Sequence, residues 1–368
     1  MTRPPRAWRI GPWTIPGNAL LAPMAGVTDR PFRILCRSQG AALAASEMIT
    51  SDQRLWHTTK TRQRMNHEGE PEPRVVQLAG NDPLQLAEAA RVNADLGAQI
   101  IDINMGCPAK KVYGKLCGSA LLGDEPLVGR LLEAVVAASP VPVTVKIRTG
   151  VSRDRINATR IAHIAAQAGV QAIAIHGRTR EDFYNGEAEY DTIREVCAAA
   201  SIPVIANGDI DSAEKARSVL DFTGATGVML GRAAHGSPWI FRDVNGLLEN
   251  GRLPAQLLRT QMRDIILAHL EALYAFHGEA SGVRIARKHL GWYCQQHTMT
   301  EGFRSALMAA ESSSSQFALA RQCFGRWAVE DGALTDNNNT AVEQVDAWHE
   351  DKPLGREDDA PELPRQRA

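Results

Sequence analysis

The sequence predicts an α/β chain: a (β/α)8 TIM barrel followed by a smaller all-helical C-terminal domain. Three observations point there. Eight short runs rich in Val, Ile, Leu and Ala recur about every 25 to 35 residues, and they are apolar almost throughout rather than alternating, as expected of parallel strands buried on both faces. The intervals between them carry helical spacing. Beyond Trp239 the strand signal stops and helical periodicity alone continues.

In chain order the expected strands are NALLAPMAG (18–26), ALAASEM (42–48), RVVQLAG (74–80), AQIIDINMG (98–106), VPVTVKIRTG (141–150), AIAIHGRT (172–179), IPVIANGDI (202–210) and GVMLGRAA (227–234). Helices are expected over DPLQLAEAARVNADLG (82–97), EPLVGRLLEAVVAAS (125–139) and RINATRIAHIAAQAG (155–169), two of which close on a Gly suited to the position just past a helix end. Eight such units exceed the five to seven strands of most doubly wound sheets, so a closed barrel is expected. From 254 to 329 the chain reads as helix only, in stretches such as LLRTQMRDIILAHLEALYAF and GVRIARKHLGWYCQQH. The expected division is therefore a barrel over 1–250, a helical domain over 251–332 and an acidic tail over 333–368, polar enough to be disordered.

The 368 residues are 44% hydrophobic, enough for a large core. No apolar run approaches the roughly 18 residues of a membrane span, and the start MTRPPRAWRIGPW lacks the apolar centre of a secretory signal, so no membrane partner and a cytoplasmic location are expected. The six cysteines (Cys36, Cys107, Cys117, Cys197, Cys294, Cys323) include no C-x-x-C pair, which argues for reduced thiols and against a metal site. A monomer is expected. The net charge of −1 hides an asymmetry: residues 330–368 carry eleven acidic and four basic groups, leaving the body 37 basic against 31 acidic. A basic body favours phosphate-rich partners, though so small a surplus is weak evidence.

In such barrels the chemistry gathers where the strands end. The residues closing each run are Pro23-Met24-Ala25-Gly26, Gln77, Asn104 with Cys107, Lys146 with Arg148, His176 with Arg178, Asn207-Gly208-Asp209 and Gly231-Arg232. Glycine-containing loops after the seventh and eighth strands expose backbone N–H groups in the place where this fold holds phosphate, and Arg232 adds a fork of donors. Gln77 and the PMAG turn offer hydrogen bonds to a flat heterocycle over the mouth, a combination suited to flavin mononucleotide (FMN). Singly, each has a plainer reading: Lys146 as a snorkelling strand residue, His176 as a core histidine, NGD as only a turn. Their joint arrival at strand ends favours a site.

The segments LAPMAGVTDRPFR (21–33), INMGCPAKKV (103–112), VTVKIRTG (143–150), IHGRTR (175–180), IPVIANGDI (202–210) and GVMLGRAAHGSPWIF (227–241) closely resemble those of the tRNA-dihydrouridine synthases, and RKHLGWY (287–293) is similar to their bacterial B-type branch. The resemblance runs from about Ile10 to near Val329. It implies FMN-dependent reduction of uridine in the D-loop of tRNA, position 17 favoured, to 5,6-dihydrouridine, with NADPH or NADH as reductant. By the same resemblance Pro23, Met24 and Ala25 would line the isoalloxazine, and Gln77 and Lys146 would bond its polar edge. His176, Asn207, Gly208, Asp209, Gly231 and Arg232 would hold the ribityl chain and phosphate. Asn104 would orient the uracil, and Cys107 would be the proton donor.

Saturating the C5–C6 bond of uracil needs a hydride at C6 and a proton at C5. A thiol, with an ordinary pKa of about 8.5, keeps its proton at neutral pH where a carboxylic acid has lost it. Buried cysteines are common, so the strand-end position of Cys107 and its neighbour Asn104 carry the reading. For tRNA, the base must leave its stack, and a basic cluster on the helical domain, Arg284, Arg287 and Lys288, has the spacing of one helix side and would meet phosphates. Arg178 is expected to face the RNA, and Lys110, Lys111 and Lys115 to contact phosphate near the mouth. The main alternative is an FMN barrel of the dihydroorotate or dihydropyrimidine dehydrogenase kind acting on free pyrimidines, against which the basic helical domain argues.

Overall fold

The computed structural model describes residues 7–108 and 117–333, with side chains to Val329. The expectations for Lys110, Lys111, Lys115 and the acidic tail beyond Ala333 lie outside the described residues.

The chain opens with an element absent from the sequence-based expectation, an antiparallel hairpin of β1 (Trp8–Ile10) and β2 (Trp13–Ile15) that pairs Trp8 with Ile15 and Ile10 with Trp13. Gly11 turns it at φ 56°. Ile10 and Ile15 are buried with Leu20, Val75, Ile100, Ala172 and Ile205, so the hairpin plugs the amino end of the barrel.

Eight parallel strands follow: β3 (Ala19–Leu21), β4 (Ile49–Thr50), β5 (Val75–Ala79), β6 (Ile100–Met105), β7 (Val143–Arg148), β8 (Ala172–His176), β9 (Val204–Asn207) and β10 (Gly227–Leu230). Their order is β3-β10-β9-β8-β7-β6-β5-β4. A parallel bridge from Leu21 to Ala44, with the Leu21 N–H donating to Leu43 O at 2.9 Å, brings the chain before β4 against β3 and closes the ring. All eight expected strand regions are present. The second differs in form: 42–48 meets its neighbours through isolated bridges at Ala44 and Ala45 and single backbone bonds such as Ala42 N–H to Ala19 O and Ser46 N–H to Val75 O, and regular pairing is confined to Ile49–Thr50 beyond it.

The barrel helices are α1 (Arg30–Ser38), α2 (Thr59–Arg64), α3 (Pro83–Asp95), α4 (Glu125–Ala138), α5 (Ala158–Gln167), α6 (Asp191–Ala199), α7 (Ala213–Thr223) and α8 (Ile240–Asn250). Three start alike: Asp29, Asp82 and Asp124 each accept a backbone N–H in the first turn, followed by a proline within it. The carboxylate satisfies a donor that the helix cannot, and proline removes another. Buried apolar faces such as Leu131, Leu132 and Val135 of α4 pack on the sheet to form the main core.

The helices α9 (Arg259–His277), α10 (Glu279–Gln296), α11 (Glu301–Ala309) and α12 (Ser313–Ala333) follow, gathered around Leu270, Leu273, Leu290, Tyr293 and Phe324. Two of the links that join them to the barrel lie at α1. His277 Nε2 donates to Asp29 Oδ2 at 2.7 Å, so the residue that caps α1 also holds the end of α9. His269 and His289 lie against Phe32, and burial keeps both imidazoles neutral, His269 at about 4. No helix among the described residues is long and apolar enough to cross a membrane.

Candidate active site

The carboxyl ends of the strands surround a cavity of about 940 Å³. Cys107, Pro23, Met24, Ala25, Gln77, Asn104, Lys146, His176, Asn207, Gly208, Asp209, Gly231 and Arg232 all line it. Its wall is divided. Ala22, the Pro23–Ala25 turn and Met229 are small or apolar, whereas β7 to β10 contribute cations and amides.

Across β5, β6 and β7 the register sets Gln77 beside Asp102 and Asp102 beside Thr144. Asp102 Oδ2 accepts from Gln77 Nε2 at 2.8 Å and Oδ1 from Thr144 Oγ1 at 2.7 Å. Gln77 Oε1 in turn accepts from Asn104 Nδ2 at 2.8 Å, and Asn104 Oδ1 accepts from the backbone N–H groups of Gly106 (3.2 Å) and Cys107 (3.0 Å). Both ends of each amide are thus engaged within the protein. Gln77 keeps one N–H and one lone pair for a ligand, fewer than the sequence-based expectation of a dedicated ring contact implies. Asn104 is likewise occupied in shaping the loop that carries the thiol.

That loop is held from two further sides. The Cys107 carbonyl accepts from the N–H and hydroxyl of Ser119, both at 3.0 Å. Gly118 approaches it at φ 61°, and a Cβ there would fall 2.5 Å from Cys107 O. Arg148, buried at the end of β7, donates through Nε to Gly106 O at 2.9 Å and through Nη1 to Thr179 O and Phe183 O at 2.8 Å. Sequence reasoning placed Arg148 at the mouth without a role; its brace connects the Cys107 loop to the loop after β8. Cys107 itself is half-buried.

Beside Asn104 in the register, Lys146 Nζ reaches across to donate to Asn207 Oδ1 at 2.8 Å, and Asn207 Nδ2 donates to Met229 O at 2.7 Å. Burial, with the charge of Arg148, lowers the Lys146 ammonium to about 8. His176 is pushed to about 2 by burial and by Lys146, Arg148, Arg178 and Arg232 around it, so it is neutral. Arg178 Nη1 lies 3.4 Å from His176 Nε2 and can only donate, which assigns the ring proton to Nδ1.

Arg178 corrects an expectation. It does not face RNA: it is 3% exposed, bonds both oxygens of Asp209 at 3.0 and 2.6 Å, and donates to the carbonyls of Asn185 and Gly186. A guanidinium with five donors, flanked by a carboxylate one strand away, satisfies itself inside the loop. Arg232 also reaches Asp209 Oδ1 at 2.9 Å but remains exposed. Tyr184, missed in the sequence, lies on the cavity wall with Arg148 and Arg232 each 5.5 Å from its ring centroid. Nothing in its sequence surroundings, TREDFYNGE, distinguishes it from a loop aromatic.

On α10, Arg284 and Lys288 are exposed, but the expected shared face is broken at Arg287. Arg287 is half-buried and donates to Ala310 O at 2.9 Å beyond α11. Lys288 Nζ donates to Gly26 O, the carbonyl at the end of the PMAG turn, so the helical domain touches the cavity rim directly. Trp292 stacks on His235 of the cavity wall at 3.8 Å.

A family model described as dihydrouridine synthase (Dus) matches residues 20–328. The chain is 57% identical over 320 residues to a "tRNA-dihydrouridine synthase B" of Pseudomonas syringae pv. tomato, covering 87% of this chain and 95% of that protein. It is 56% identical to the protein of the same name from Pseudomonas aeruginosa (91% and 98% covered) and 50% identical to that from Salmonella typhimurium (87% and 100%).

Proposed function

This chain belongs to the dihydrouridine synthase family, and from that premise we propose that it reduces a D-loop uridine of tRNA to 5,6-dihydrouridine, with FMN as cofactor and NADPH or NADH as reductant. The relatives' names support the substrate class, and the cavity supports the cofactor. Four cationic groups, Lys146, Arg148, Arg178 and Arg232, surround a neutral His176, and they outnumber the carboxylates on the cavity wall, Asp209 and Asp211, so an anionic group is electrostatically favoured there. The apolar Pro23–Ala25 turn and Met229 supply the flat wall that an aromatic ring system needs. The donor set therefore fits a phosphorylated flavin.

In this reading Pro23, Met24 and Ala25 bear on the ring, and Lys146 with the free valences of Gln77 bonds its polar edge. Asn207, Gly208, Gly231 and Arg232 hold the chain and phosphate with neutral His176. FMN, when bound, supplies the hydride for C6 of the uracil. Cys107 holds a proton at Sγ for C5, and its loop is fixed from Asn104, Ser119 and Arg148. The barrel, 1–250, carries the chemistry; the helices of 251–332 bind tRNA, with Arg284 and Lys288 exposed toward phosphate. The protein works as a cytoplasmic monomer.

The observation that carries this reading is the placement of Cys107 on the wall of the same cavity whose other walls are apolar turn and cationic rim. The test is direct. The purified protein is expected to be yellow, to bleach with NADPH, and to regain colour with unmodified tRNA but not with free uracil or dihydroorotate. A colourless protein that FMN does not reconstitute defeats it, and turnover of free pyrimidine in place of tRNA supports the dehydrogenase alternative.

A further inference from the structure

We propose that Asp102, buried beneath the cavity, is a positioning residue that fixes Cys107 at the mouth by setting the hydrogen-bond polarity of Gln77 and Asn104. The proposal rests on the reading of Cys107 as proton donor and adds a residue to it.

Asp102 is 7% exposed and lies outside the cavity lining, so it touches neither ring nor base. Its influence passes through two amides. A carboxylate can only accept, so Gln77 must turn Nε2 toward it, and Gln77 Oε1 is then left for Asn104. Asn104 must answer with Nδ2, which leaves Oδ1 for Gly106 and Cys107, whose backbone N–H groups can only donate. The row begins at an acceptor and ends at two donors, and only one orientation of both amides satisfies every group. Reversing either amide would set N–H against N–H inside a buried row, a loss of the kind that buried unsatisfied groups make costly.

One side feature agrees. Thr144 donates to the second oxygen of Asp102, so the carboxylate is anchored on the strand side opposite Gln77. Burial raises the Asp102 pKa, and the bonds from Gln77 and Thr144 with the charge of Lys146 are what favour the ionised, accept-only form against it. The loop itself has few other restraints near the thiol: the Cys107 carbonyl is held by Ser119 and the Gly106 carbonyl by Arg148, but the N–H groups of both residues depend on Asn104.

The test compares substitutions at Asp102 in the FMN-loaded protein by three readouts. These are FMN reduction by NADPH, reoxidation by tRNA, and alkylation of Cys107 by iodoacetamide without tRNA, located by peptide mapping. Asp102→Leu removes the acceptor; reoxidation by tRNA is expected to slow about tenfold and Cys107 alkylation to rise several-fold, while reduction by NADPH, which Asp102 reaches only through Gln77 and Lys146, falls clearly less. Asp102→Asn should restore most of both, because its amide oxygen can accept from Gln77 while its amide nitrogen donates to the Thr144 hydroxyl. Adding Thr144→Val to Asp102→Asn takes away that acceptor, and the losses should return. Should Asp102→Leu fail to fold, the Asn variant with and without Thr144→Val carries the comparison alone. Equal slowing of both half-reactions, unchanged alkylation, or identical behaviour of the single and double Asn variants would overturn the proposal. Failure of the unsubstituted protein to hold FMN or reduce tRNA would strike the proposed function instead, and the alkylation readout is independent of turnover.

Discussion

The guanidinium of Arg178 clasps the carboxylate of Asp209 through bonds of 3.0 and 2.6 Å, one to each oxygen. Asp209 adopts φ 44°, a left-handed conformation unusual for a residue with a side chain, and its Oδ2 also accepts from the Ala188 N–H at 2.8 Å. The pair thereby joins the turn after β9 to the loop after β8, on which Tyr184 is carried. Arg178→Met would leave a carboxylate only part-exposed without its main partner, and is expected to lower unfolding free energy by about 2 to 3 kcal/mol in urea titration. It should also weaken FMN binding, since Arg232 would then be drawn wholly to Asp209. An unchanged urea midpoint would contradict the clasp.

Cys107→Ala should keep FMN and its reduction by NADPH while slowing reoxidation by tRNA on the order of a hundredfold, as loss of a positioned acid does. Stopped-flow absorbance of each half-reaction separates the two. Normal multiple turnover in that variant refutes the acid role.

Lys146 gives the site a pH limit. Burial and the charge of Arg148 hold its ammonium at about 8, so it is charged below that pH and neutral above it. A ligand that needs the charge binds the protonated form, and affinity falls as pH rises through that value. FMN binding to the stripped protein is expected to weaken toward about tenfold per pH unit above pH 8. In Lys146→Met the inflection should vanish, and fluorescence titration across pH 7 to 10 measures both.

Arg284 and Arg287 of α10 should separate by role. Arg284 makes only local bonds to Ala280 O and Ser281, and is free to meet phosphate. Arg284→Ala should weaken tRNA binding and flatten the logarithmic salt dependence by about 0.7 to 0.9, the loss of one phosphate contact. Arg287→Ala should instead lower thermal stability, because its bond to Ala310 O is lost. Equal effects of the two on the salt slope would dismiss this division.

The eight strand regions, the eight-unit barrel and the helical end were legible because each rests on local composition and period, which a single stretch such as VTVKIRTG carries by itself. The same holds for the residues closing each strand, since a strand end in this fold is a place at the mouth. The β1–β2 hairpin was missed because its strands are three residues each, too short for a periodic signal.

What the sequence by itself determined, then, is which side chains are delivered to the rim: Cys107, Lys146, His176, Asn207 and Arg232 among them. Only the tertiary structure decided which remain available to a ligand. Arg178 is taken by a residue 31 positions away, Gln77 is half-engaged by one 25 away, and Lys288 spends one of its donors on a carbonyl 262 away. The physical reason is that a polar group is satisfied by whatever lies within about 3 Å of it, and neighbours at that range are set by strand register and domain packing rather than by sequence proximity.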